Sequence, residues 1–178
     1  MKNIEIRKCS KNETELTTKF YTDVVKKMIA ENTNYPKWRS DYPDHQSVIS
    51  AYENESQYIC LIGGIIAGAF VLNEDPAGAY EKGEWKEPLK RGEYLVIHTL
   101  AVDSRFRNMG IASKITEFCL DTAKNNGYRS VRVDVVPENY PAEKLYTKLG
   151  FTFAGEKDLE RGLEDIPKFR LFEYNLNS

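Results

Sequence analysis

The chain has 178 residues, of which 41% are hydrophobic, 29% charged and 12% aromatic. That balance excludes the disordered, collagenous and membrane-spanning classes and suits a single domain over residues 1–178 with a sizeable core. Twenty-five Lys and Arg against 27 Asp and Glu leave a net charge of -2, so no global field draws the protein to a phosphate backbone and nucleic acid is not an expected partner. No apolar run reaches the roughly 18 residues of a membrane span, and the start of the sequence (Lys2, Glu5, Arg7, Lys8) alternates charge where a signal peptide would be apolar. The expectation is a cytoplasmic protein with no membrane partner. Cys9, Cys60 and Cys119 are odd in number, far apart and set among apolar neighbours, which suits buried thiols better than disulfides. With His45 and His98 the sole histidines and no ligand spacing, no metal is expected.

In chain order, Ile4–Lys8 alternates as a first strand, and the polar cluster Ser10–Glu13 can cap a helix. Leu16, Phe20, Val24 and Met28, flanked by Tyr21, Val25 and Ile29, then predict an amphipathic helix of roughly five turns. Asn32–Pro43, with two prolines around Tyr35 and Trp38, reads as a loop presenting aromatics, and a short helix begins after Asp44. Gly63-Gly64 joins strands Tyr58–Ile62 and Ile65–Leu72 in a tight hairpin. Periodicity disappears from Asn73 to Gly92, where a connection of this length, carrying Trp85, suggests a lid or substrate loop. Tyr94–Val102 is nearly uncharged and rich in β-branched residues, the pattern of a central strand buried on both faces.

The second half continues with a helix entered through Gly110 and closed by Asn125-Asn126-Gly127, a strand over Arg129–Val136, and a helix within Pro137–Gly150 whose apolar face holds Ala142, Leu145, Tyr146 and Leu149. Phe151–Ala154 resumes a strand, Glu156–Asp165 is an acidic loop, and Phe169–Leu176 is a last alternating strand with an exposed-looking Phe169–Tyr174 segment. Strands and helices in this order make an α+β fold on a mixed sheet.

The passage from strand Tyr94–Val102 through Asp103–Met109 into the next helix carries the clearest chemistry. A helix start leaves backbone N–H groups unpaired and partly positive, so small residues there can cradle a pyrophosphate. Arg107, Asn108, Met109, Gly110, Ile111 and Ala112 supply a cation at the rim, a glycine for close approach and an alanine that leaves room, and Arg105 adds a second cation. No Gly-Lys-Ser/Thr loop and no Gly-x-Gly-x-x-Gly run supports a general nucleotide-binding domain.

Arg107-x-x-Gly110-x-Ala112, directly after His98-Thr99-Leu100-Ala101-Val102, resembles the acetyl-coenzyme A signature of the GCN5-related N-acetyltransferases (GNAT). Asn139, Ala142, Leu145-Tyr146 and Leu149-Gly150-Phe151 match that family's following segment, and the element order agrees along nearly the whole chain. The resemblance implies a central, mostly antiparallel mixed sheet of six to seven strands with about four flanking helices and splayed central strands. It implies acetyl-CoA as cosubstrate, held by Leu100, Ala101, Val102, the Arg107–Ser113 turn, Asn139 and Tyr146. It further implies direct acetyl transfer to a primary amine of a small molecule or peptide, with a Leu100 backbone N–H at the thioester carbonyl and Tyr146 as acid for the departing thiolate. By residue type alone Tyr146 reads first as a core tyrosine and His98 as a buried strand histidine, and Asn139 is equally a helix cap. His98 or a water chain is the candidate base. Tyr35 and Trp38 lie where the family builds its acceptor pocket, while Trp85 and Glu93 are further candidates for amine binding. A catalytically silent acyl-CoA sensor with the same fold is the alternative, and a homodimer is compatible with the family.

Overall fold

A computed structural model describes residues 3–177. Among them the strands are β1 (Ile4–Lys8), β2 (Gln57–Ile62), β3 (Ile65–Asn73), β4 (Tyr94–Val102), β5 (Ser130–Val135), β6 (Thr152–Lys157) and β7 (Phe169–Asn175). The helices are α1 (Thr14–Ala30), α2 (His45–Glu53), α3 (Ile111–Asn125) and α4 (Tyr140–Lys148). The strands form one seven-stranded sheet in the order β1-β2-β3-β4-β5-β7-β6. Pairing is antiparallel at β1–β2, β2–β3, β5–β7 and β6–β7, and parallel at β4–β5. This is the mixed, mostly antiparallel α+β sheet that the sequence leads one to expect, with β4 at its centre. The parallel ladder pairs Tyr94–Val96 with Ser130–Arg132, and the rest of β4 continues beyond it.

The chain divides into two compact units, one comprising residues up to Leu72 with His98–Phe118, the other Asn73–Ile97 with the residues from Cys119 on. In the first unit, the Glu13 carboxylate accepts bonds from the Ser10 backbone N–H and hydroxyl and a forked pair from Arg7, fixing the approach to α1. The buried stripe of α1 is Thr17, Phe20, Tyr21, Val24 and Val25. Leu16, expected on that stripe, is 59% exposed, and Ile29 is exposed too. Thr17 takes the inner position because its hydroxyl meets the Cys9 thiol at 3.4 Å, so a polar side chain is satisfied where the hydrophobic pattern calls for Leu16. Cys9, Phe20, Tyr21, Val24, Val48, Ile59, Leu61, Ala69 and Ala101 form the core here, with Trp38 and Met28 packed on its margin. Asp44 caps α2 by accepting from the Ser47 N–H, and Gly63-Gly64 turn the hairpin with φ of 57° and 78°. Gly68 permits the closest packing: a Cβ there would sit 2.8 Å from Ile115 of α3 and 3.1 Å from the Ala101 carbonyl. All three cysteines are buried and unbonded to one another.

In the second unit two large aromatics hold the long connection after β3, whose irregular sequence suggests a lid or substrate loop. Tyr80, 2% exposed, stacks on Tyr94 and donates to Asp134 at 2.6 Å. Trp85 donates its indole N–H to the Tyr80 carbonyl and lays its ring 4.1 Å from the Arg132 guanidinium, so two large aromatics pin the segment down. Arg132 lies between Trp85 and Tyr94 and pairs with Glu173 at 3.3 Å, both side chains 2% exposed. Glu173 also accepts from the Lys86 backbone N–H at 2.6 Å, and Arg132 donates to the Glu87 carbonyl. Two further expectations are corrected. The Phe169–Tyr174 segment is not an exposed surface, because β7 runs between β5 and β6 and buries Phe169, Leu171 and Phe172. The acidic loop begins later than expected, since β6 continues to Lys157 through an irregularity between Phe153 and Glu156 where Gly155 has φ of 98°.

Two measurements check this account. Removing one partner of the buried pair strands the other charge, so Glu173→Ala should cost about 3–5 kcal/mol in denaturant unfolding, whereas Arg132→Met combined with Glu173→Leu should recover most of it. The Arg7 guanidinium holds the Glu13 carboxyl down at about 2, below the roughly 4.3 of an unfolded glutamate. The stability it lends is therefore complete above about pH 4.5 and lost as the pH falls toward 2. In Glu13→Gln the acid limb of the stability curve should flatten over that interval.

Candidate functional site

Strand β4, the turn after it and the start of α3 place the candidate residues of the first unit in one continuous stretch. Ala101 is buried, whereas His98, Leu100 and Val102 are half-buried. Between them Thr99 has φ of 47°, left-handed backbone inside a strand. For a β-branched residue that conformation is an outlier, costing on the order of 1–3 kcal/mol, and it persists only where neighbours enforce it. Against this peptide lies Tyr21 of α1. Its hydroxyl donates to the Thr99 carbonyl at 3.0 Å and lies 3.4 Å from the Thr99 hydroxyl.

After β4, Asp103 N–H bonds to the Ala67 carbonyl, tying the turn to β3. Asp103 then accepts from the Arg105 backbone and guanidinium, and the Arg105 side chain stays 66% exposed. Arg107 pairs with Glu31, the residue closing α1, at 3.0 Å while remaining half-exposed. Asn108 and Gly110 are both left-handed, with φ of 62° and 71°, and Met109 between them is exposed. Nothing lies within 4 Å of where a Gly110 Cβ would project. The chain then enters α3, which has no acidic residue in its first turn. Ile111 anchors that turn by burial, and Ala112 and Ser113 are half-buried. A turn with an open glycine, an N-terminal helix dipole and a rim arginine suits a phosphate-bearing ligand.

Of the aromatics expected near the acceptor, Tyr35 is exposed. Trp38 meets Tyr21 and Tyr42 edge-on at 6.3 and 6.2 Å, and its backbone is clasped by the Asn34 side chain, so it pins its loop to the core.

In the second unit Tyr146 is 4% exposed on α4 and packs against Phe151. Burial, with Cys119 and Asp134 nearby, pushes its phenol well above the ordinary value, so it keeps its proton throughout the neutral range. Asn139 caps α4 by accepting from the Ala142 N–H at 3.3 Å. Glu93 accepts from the Lys90 N–H and pairs with Arg129, and these contacts hold its carboxyl below the ordinary range. A carboxylate so engaged is a poor base. Trp85 is committed to Arg132, as described above. Sequence reasoning missed Tyr21 and Glu31. Neither contact has a local signal, since the partners are 78 and 76 residues away.

The profile of the acetyltransferase (GNAT) family matches residues 23–151. N-alpha-acetyltransferase 30 of Schizosaccharomyces pombe is 35% identical over 68 residues, covering 37% of this chain and 45% of that protein. An uncharacterized N-acetyltransferase of Methanocaldococcus jannaschii is 33% identical over 78 residues, 44% of this chain and 33% of that protein. The chain thus spans less than half the length of these curated relatives. Among solved structures, a GNAT family acetyltransferase of Streptococcus agalactiae superposes with a TM-score of 0.76 at 17% identity, over 97% of this chain and 95% of that one. The yncA protein of Salmonella typhimurium, solved with its cofactor acetyl-CoA, gives 0.71 at 16% identity, over 99% and 95%. At these identities the likeness is one of fold. Among the described residues no helix is long and apolar enough to cross a membrane.

A left-handed threonine makes its own prediction. In Thr99→Gly, relief of about 1–2 kcal/mol of steric cost offsets the roughly 0.5–1 kcal/mol entropic penalty of glycine. The unfolding midpoint should stay level or rise, where a mid-strand glycine ordinarily lowers it.

Proposed function

We propose that this chain, which belongs to the acetyltransferase (GNAT) family, moves the acetyl group of acetyl-CoA directly to a primary amine. The observation that carries this is the turn from Arg107 to Ser113. Two left-handed residues flank exposed Met109, the approach to Gly110 is open, and the helix behind it begins without an acid. A pyrophosphate needs these features, and a side chain at Gly110 would fill the cradle. The N-acetyltransferase relatives and the acetyl-CoA held by yncA support the same assignment.

Acetyl-CoA supplies an activated thioester; the rest falls to this chain. Arg107 and the backbone amides from Asn108 to Ser113 hold the phosphates, with Arg107 exchanging Glu31 for the ligand. Leu100, Ala101 and Val102 present backbone to the pantetheine arm, and the Leu100 N–H donates to the carbonyl oxygen as negative charge builds there. Tyr146, proton held on its phenolic oxygen, donates to the departing sulfur. The proton lost by the amine passes to His98 or through water. Asn139 serves first as the cap that starts α4 and so places Tyr146. The acceptor end belongs to the loop with Tyr35 and Trp38, where Tyr35 has the exposed ring. Glu93 and Trp85, in contact with Arg129 and Arg132, are the further candidates for guiding the amine.

The test is thiol release from acetyl-CoA over a panel of amino acids, polyamines, aromatic amines and N-terminal peptides. An acceptor should raise the rate well above hydrolysis. With that acceptor Tyr146→Phe should lower kcat by about 10²–10⁴, the usual worth of a positioned acid, while acetyl-CoA affinity changes less than about twofold. Unchanged kcat in that variant would remove Tyr146 from the chemistry. Tight coenzyme binding with no acceleration by any amine would favour the silent binding protein.

A further inference from the structure

The strained peptide in β4 and the phenol that holds it have a consequence for the donor at Leu100. The Thr99 carbonyl and the Leu100 N–H belong to one planar trans peptide, so they point in opposite directions, and fixing one aims the other. Tyr21 fixes the carbonyl at 3.0 Å. Beside the phenol lies the Gln57 amide, 2% exposed, whose nitrogen is 3.5 Å from the Tyr21 oxygen and gives its two hydrogens to the nearer carbonyls of Phe70 and Tyr58, at 3.1 and 3.2 Å. The hydroxyl has a single proton, and the Thr99 carbonyl at 3.0 Å is a nearer acceptor than the Thr99 hydroxyl at 3.4 Å. Burial pushes the Tyr21 phenol up to about 12, so it remains a donor at any working pH. Trp38 closes over the ring edge-on at 6.3 Å, and Phe20 sits beside it at 5.6 Å, leaving the ring no other place to go.

We propose that Tyr21 is a positioning residue for acetyl transfer: by hydrogen-bonding the Thr99 carbonyl it holds β4 in its left-handed kink and so aims the Leu100 N–H at the thioester carbonyl. This rests on the coenzyme assignment above for what Leu100 binds, but the latch is a property of the unliganded chain. Tyr21 touches no reacting atom. It acts through one peptide plane, and Thr99 is the residue whose preference it overrides. A glycine at position 99 adopts the same backbone without a latch, which separates this role from simple core packing.

The experiment titrates acetyl-CoA and CoA calorimetrically into the wild type, Tyr21→Phe, Thr99→Gly and the double variant, and follows the backbone amide resonances of Thr99 and Leu100 without ligand. Phenylalanine keeps the ring and its packing, so the fold survives. Tyr21→Phe should weaken acetyl-CoA binding about tenfold and CoA binding less than twofold, since CoA lacks the carbonyl. The double variant should return to within about threefold of wild type, and the two amide resonances should move in Tyr21→Phe and return with it. Equal weakening of both ligands, no weakening at all, or a loss that Thr99→Gly does not repair would overturn the proposal. A wild type that binds neither ligand would overturn the coenzyme assignment instead, and the amide resonances would still decide for or against the latch.

Discussion

One peptide group in the central strand sets the terms for the first unit. Thr99 lies in left-handed backbone that a β-branched residue resists, and a hydrogen bond from a phenol 1% exposed holds it there. Much of the surrounding structure serves that contact. The core stripe of α1 must be in register to deliver Tyr21, which is why satisfied Thr17 rather than Leu16 faces inward. Gln57 is buried on β2 beside the hydroxyl, and Trp38 folds back from the following loop to cover the ring. The same α1 ends at Glu31, which holds Arg107 beside the cradle of α3. A single helix therefore supports both the strand and the turn on which coenzyme recognition is proposed.

The second unit is organised by charge in place of strain. Arg132 and Glu173 are removed from water, and each is compensated from several sides: two aromatic faces and a backbone carbonyl for the guanidinium, a backbone N–H and the guanidinium for the carboxylate. A buried pair seldom adds net stability over an apolar alternative, yet it penalises any arrangement that separates its members. Here it fixes the 73–92 connection, through Lys86, Glu87 and Trp85, against β5 and β7. Tyr146 belongs to this unit, and its surroundings keep the phenol neutral.

What was legible in the sequence is what local chemistry determines. Gly63-Gly64 announce a hairpin, the β-branched run of β4 announces a central strand, and Arg107 to Ala112 announce a helix entry suited to phosphate, because each signal depends on residues a few positions apart. The misreadings depend on distant partners. Phe169–Phe172 alternates like a surface strand, yet in the sheet β7 is paired along both edges, by β5 and β6, and Phe169, Leu171 and Phe172 are buried. Trp85 sits in a segment without periodicity and finds its role on an arginine 47 positions later, which no window contains. Thr99 carries no mark of its conformation, since threonine is an ordinary strand residue until Tyr21 arrives from the far end of the unit. The candidate site divides the same way. Its backbone-binding turn is written locally, whereas the residues that tension it are visible only after folding.

The central claim is that coenzyme binds on backbone, along the second half of β4 and the turn into α3. Amide hydrogen exchange of the intact protein, with and without saturating acetyl-CoA, tests it most directly. The account predicts added protection concentrated in residues 98–102 and 107–113, with the strands β1 and β2 unchanged. Protection absent from both stretches, or appearing elsewhere while they exchange as before, would contradict it.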